Sequence, residues 1–128
     1  MEKRIEKLVA EGRKPACVIM EAAMMNLGVV LPEPGYLERV REITRKHGII
    51  LIFDEIQTAF GRMGRMFASE LYDVIPDILT FGKAIGGGFP LAGGGDTDIA
   101  GPLAELGKVP GPEVAHAALE AANQFPQS

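Results

Sequence analysis

Five consecutive apolar residues, Ile49-Ile50-Leu51-Ile52-Phe53, run straight into Asp54-Glu55. Such a run has no polar side to offer to water, and most of it is β-branched. It reads as a strand with apolar residues on both faces, the kind found inside a parallel sheet. A second short run of this type, Ala16-Cys17-Val18-Ile19-Met20, precedes it. Parallel strands need a crossover between them, and the intervening residues supply one. Residues 21–34 have no clear period and contain Gly28, Pro32 and Pro34, so they read as a long loop of the sort that is often functional. After Pro34 a helix is expected, with Tyr36, Leu37, Val40 and Ile43 on one face and Glu38, Arg39, Arg41 and Glu42 outside, ending at His47-Gly48. Strand, loop, helix and strand form a βαβ unit with a right-handed crossover.

The flanks extend this α/β pattern. Ile5, Leu8 and Val9 stand at helical spacing before Gly12. Phe67 to Leu71 reads as a short helix, Ile78 to Phe81 as a further strand opened by Pro76-Asp77, and Phe89 to Ala92 as one more short strand. The chain's 16 Gly and nine Pro gather after Gly82, and from Gly93 the elements weaken. Residues 1–92 therefore read as one organised unit and residues 93–128 as a divergent or degenerate tail.

Composition narrows the function classes. At 128 residues, with 47% hydrophobic and 23% charged residues, the chain can bury a modest core. Its net charge of −4 and the lack of a basic stripe argue against a nucleic-acid partner. No apolar run approaches the ~20 residues of a membrane span, and Met1-Glu2-Lys3-Arg4 is unlike a signal peptide. The expected compartment is the cytoplasm. The single Cys17 lies in an apolar run and reads as a small buried hydrophobe rather than a nucleophile.

Two residues carry chemistry. Asp54 ends the strongest strand, and Lys83, in Phe81-Gly82-Lys83-Ala84-Ile85-Gly86-Gly87-Gly88, follows the next. In open parallel sheets, ligands bind beyond the carboxyl ends of strands. An amine and a carboxylate placed there suit a pyridoxal cofactor, which needs a lysine for its aldehyde and an anion for its ring nitrogen. Each has a plainer reading, Asp54 as a helix N-cap and Lys83 as a solvated turn residue. The glycines at 86–88 read as a flexible turn or as an anion-binding nest. An apolar strand ending in Asp-Glu also suits the magnesium strand of a P-loop ATPase. That reading fails, because Ala84 follows Gly82-Lys83 and Asp77 stands where the loop's first glycine belongs. His47 suits the negative end of its helix and needs no catalytic role. No metal site is expected.

Read together, Asp54-Glu55-Ile56-Gln57-Thr58-Ala59-Phe60-Gly61-Arg62-Met63-Gly64-Arg65 and Pro76-Asp77-Ile78-Leu79-Thr80-Phe81-Gly82-Lys83-Ala84-Ile85-Gly86-Gly87-Gly88-Phe89-Pro90-Leu91 resemble the signature of class III pyridoxal-phosphate-dependent aminotransferases. That group includes ω-transaminases, ornithine and 4-aminobutyrate aminotransferases and glutamate-1-semialdehyde aminomutase. The run from Met20 to Leu37 is similar to the family's segment before its central helix, and the resemblance covers roughly residues 1–92. It implies the large domain of fold type I, pyridoxal 5′-phosphate as cofactor, an amino donor and a carbonyl acceptor as substrates, and a homodimer in the full-length enzyme. It further implies that Asp54 pairs with the pyridine nitrogen, Ile56 packs on one face of the ring, Gln57 bonds the phenolic oxygen, and Lys83 is the Schiff-base lysine. The sequence departs from the family at Ala22, where proline is common, and at Ala59, where glycine is common. Residues 109–119 depart more, lacking the family's threonines and asparagine. The chain thus reads as a central fragment of the large domain, expected to be inactive by itself, with an inactive remnant or binding fragment as the alternative.

Overall fold

The computed structural model describes residues 1–96. In chain order the elements are α1 (Glu2–Ala10), β1 (Cys17–Met20), α2 (Tyr36–His47), β2 (Ile50–Asp54), α3 (Ala68–Leu71), β3 (Ile78–Gly82), a 3₁₀ turn (Lys83–Gly86) and β4 (Ala92–Asp96). The strands form one sheet in the order β1-β2-β3-β4. The first three are parallel, with Met20 beside Phe53 and Asp54 beside Thr80. β4 runs antiparallel to β3. This is the expected α/β architecture, a mainly parallel sheet with flanking helices.

The helix between β1 and β2 buries Leu37, Val40 and Ile43 of the expected face, together with Thr44, whereas Tyr36, expected on that face, stands exposed at the helix's first position. Gly48 stops it in the left-handed conformation (φ 57°), where glycine carries no Cβ penalty. Leu37 and Val40 join Leu51, Phe53, Phe67, Ala68, Val74 and Leu79 in the main core, and Ile5, Ile43 and Ile49 form a smaller cluster under α1.

Three further expectations are corrected. The apolar strands are covered on one face only: Leu51 and Phe53 are fully buried, while Ile19 and Ile50 are 62% and 45% exposed. The helices contribute their buried residues to the Leu51–Phe53 side, so no helix among the described residues covers the other. Cys17 shares the uncovered side and is exposed, not buried. The strand expected over Phe89–Ala92 instead spans Ala92–Asp96 and is built on Gly93, Gly94 and Gly95. Its glycines are a packing requirement. A Cβ at Gly93 would lie 2.7 Å from the Phe81 ring, and one at Gly94 would lie 3.1 Å from the Leu79 carbonyl oxygen. Other expectations that fall within residues 97–128 lie outside the described residues.

Candidate functional site

Strand alternation separates the two acids at the end of β2. Glu55 follows Leu51 and Phe53 into the core and is fully buried. Its Oε2 accepts from Thr58 Oγ1 at 2.8 Å and from the Ala68 backbone N–H at 2.6 Å, and its Oε1 accepts from the Ser69 N–H at 2.8 Å. This carboxylate therefore caps the first turn of α3 and closes the loop 55–68. Asp54 points to the other side and is half-buried. Its Oδ1 accepts from the Ile56 N–H at 3.0 Å and, more weakly, from Thr80 Oγ1 at 3.4 Å. Among the described residues Oδ2 takes no donor, so Asp54 keeps an acceptor for a ligand.

Lys83 leaves β3 three residues beyond Thr80, the partner of Asp54, so both groups stand at the carboxyl ends of neighbouring parallel strands. Lys83 is exposed, has no ion-pair partner among the described residues, and holds a left-handed backbone (φ 49°). For a residue with a Cβ this conformation costs about 1–2 kcal/mol, and it turns the chain sharply out of the strand. Ile56 borders the same turn, with its Cγ2 3.6 Å from where a Gly82 Cβ would be. The structure thus brings Asp54, Ile56 and Lys83 to one end of the sheet.

Gln57 sits in the same turn as Ile56 and donates from Nε2 to Asn26 Oδ1 at 2.5 Å. Asn26 Nδ2 in turn donates to Glu21 Oε1 at 2.6 Å. Sequence reasoning did not single out Glu21, Asn26 or Glu55. For Glu21 and Asn26 the only available signal was their place in a long loop directly after a strand's carboxyl end. Glu55 was legible as an acid, but nothing local says that it turns inward.

One cleft of about 300 Å³ is lined by Glu38, Arg41, Glu42, Arg45, Asp73, Val74 and Ile75. It lies beside the chain entering β3, at the opposite end of that strand from Lys83, so it is not the site the chemistry marks. Glu2, Glu6 and His47 also come within 4.8 Å of one another at the junction of α1 and α2. The Glu2 carboxylate there already pairs with Arg39 at 2.7 Å and Lys46 at 2.8 Å. A cation would have to displace both.

The class-III aminotransferase family matches residues 1–109, an interval that includes every residue of this site. The chain belongs to that family. Members of the family work with pyridoxal 5′-phosphate, and the residues at the strand ends suit it: a carboxylate with a spare acceptor and an amine without an ion-pair partner among the described residues, with an apolar side chain bordering the lysine's turn. Glutamate-1-semialdehyde 2,1-aminomutase of Myxococcus xanthus is 44% identical over 122 residues, which is 89% of this chain and 28% of that protein. Acetylornithine aminotransferase of Methanothermobacter thermautotrophicus is 49% identical over 82 residues, 64% of this chain and 21% of the relative. Among solved structures, an (S)-enantioselective ω-transaminase of Thermomicrobium roseum superposes with a TM-score of 0.64 at 41% identity, covering 78% of this chain and 23% of the other. Ornithine δ-aminotransferase of Plasmodium falciparum gives 0.63 at 29% identity, covering 72% and 24%. The chain therefore spans only 21–28% of the length of these relatives and others like them. Among the described residues no helix is long and apolar enough to cross a membrane.

Proposed function

We propose that this chain carries the lysine and the ring-nitrogen aspartate of a pyridoxal-phosphate site serving amino-group transfer. One observation carries the reading: Asp54 ends β2 and Lys83 directly follows β3, its parallel neighbour, at the same end of the sheet, and among the described residues each keeps a polar group without a partner. The cofactor, when bound, supplies an electron sink for the bonds at the substrate's amine-bearing carbon. Asp54 is the anion that keeps a proton on the ring nitrogen. Ile56 presses on one ring face and keeps water from it. Gln57 bonds the phenolic oxygen. Lys83 Nζ would bind the cofactor through its aldehyde carbon and, when free of it, would move a proton to and from the substrate carbon.

The same reading takes a small-molecule amino donor and a carbonyl acceptor as substrates, a cytoplasmic setting and a homodimer for the whole enzyme, and residues 1–92 as the cofactor-binding unit ahead of a divergent tail. Borohydride reduction in the presence of pyridoxal phosphate, followed by peptide mapping, tests it. The label is expected on Lys83 and lost in Lys83→Ala. Asp54→Asn is expected to keep the label while cutting turnover of the full-length enzyme by orders of magnitude. Labelling of Lys83→Ala at wild-type level sinks the assignment.

A further inference from the structure

We infer that Glu21 is a positioning residue that fixes the orientation of Gln57 through Asn26. A carboxylate can only accept hydrogen bonds, whereas the two ends of a carboxamide differ only in being donor or acceptor. Glu21 Oε1 accepts from Asn26 at 2.6 Å, so the end facing it must be the amide nitrogen. The Asn26 carbonyl is left on the far side, where it accepts from Gln57 Nε2 at 2.5 Å. Gln57 cannot turn its own carbonyl towards Asn26 without setting two acceptors against each other. Two reversible amides thus take one polarity from the only charged member of the chain.

Glu21 is itself held. It follows β1 directly, its Oε2 accepts the Met25 backbone N–H at 2.6 Å, and Ala22 and Ala23 beside it are buried. The segment is closed by reciprocal backbone bonds between Met24 and Val30, both 3.0 Å. Gln57 is left with one N–H and its carbonyl Oε1 in fixed places. The bearing of this on a phenolic oxygen rests on the function proposed above; the relay itself does not.

Side-chain amide resonances of the ¹⁵N-labelled chain test the relay. E21Q places a group that can donate as well as accept beside Asn26 and keeps an acceptor for Met25. The Asn26 Nδ2 resonance is expected to shift, and with it Gln57 Nε2, two links away. A Glu21 that only holds the turn would move the Met25 backbone resonance and leave Gln57 Nε2 in place, and that result overturns the inference. E21Q/N26D moves the carboxylate one position along the relay, so Gln57 Nε2 again meets an acceptor and its resonance is expected to return towards the wild-type position. Failure to return also overturns it. Cofactor uptake is read separately by borohydride labelling of Lys83. Relay shifts without labelling support the inference and sink the proposed function. Labelling with a Gln57 resonance indifferent to E21Q leaves the function standing and removes the relay.

Discussion

At the scale of single residues, the two neighbouring acids after β2 do opposite work. Glu55 is wholly buried and satisfies one hydroxyl and two backbone N–H groups. Glu55→Ala strands all three donors in a site closed to water, and each stranded donor costs roughly 1–3 kcal/mol. We expect a loss of about 3 kcal/mol in urea unfolding. The loop carrying Ile56 and Gln57 should also become open to proteolysis. Unfolding within error of wild type would show that the loop is held by something other than Glu55. The pair Asp54-Glu55 was visible in the sequence as an acidic strand end. Which acid turns inward was not, because that depends on which face of the sheet the helices cover.

At the scale of elements, Asp77 ties three together. Its carboxylate takes both terminal nitrogens of Arg41 on α2 at 2.6 Å and the Leu51 N–H of β2 at 2.7 Å, from a position one residue before β3. The Arg41 hydrogen bonds, with the Leu51 N–H and the Arg45 charge adding to them, hold its pKa below the ordinary carboxylate value against the opposing effect of burial. A folded-state pKa below the unfolded one stabilises above the unfolded value, and the contribution is lost as pH falls through the folded value. Asp77→Asn should therefore cost about 1 kcal/mol at neutral pH, allowing for solvent screening. The gap to wild type should start to close below about pH 4. A pH-independent gap in urea midpoints would mean that the ion pair is not its source. β4 makes a second element-scale prediction. Gly93→Ala drives a methyl into the Phe81 ring, an overpacking expected to cost about 1–3 kcal/mol. Phe81→Leu in the same chain should recover part of that. If the double variant is no better than the single, the ring is not the obstacle.

At the scale of the whole molecule, among the described residues one side of the sheet is a core and the other is covered by no helix. Ile19, Ile50 and Cys17 sit on the uncovered side, and Leu27, Val29 and Leu31 add exposed apolar surface from the loop after β1. Apolar surface of this kind drives association. The 128-residue chain is therefore expected to oligomerise at micromolar concentration, with weak cofactor uptake and no turnover of common amino donors. Light scattering and a pyridoxal-phosphate titration check both halves, and a monomer that binds stoichiometrically at micromolar cofactor overturns them. The sequence by itself determined where most of the elements lie: the largely apolar runs of β1, β2 and β3, the amphipathic α2 with its glycine stop, and the acid and the amine at strand ends. Those are local properties, set by side-chain alternation and backbone sterics within a few residues. Only the tertiary structure decided which face of the sheet is covered, that Glu55 rather than Asp54 is buried, that a glycine run forms a strand against Phe81, and that Glu21, Asn26 and Gln57 line up. Each depends on groups far apart in the chain meeting across space, and no local pattern encodes such a meeting.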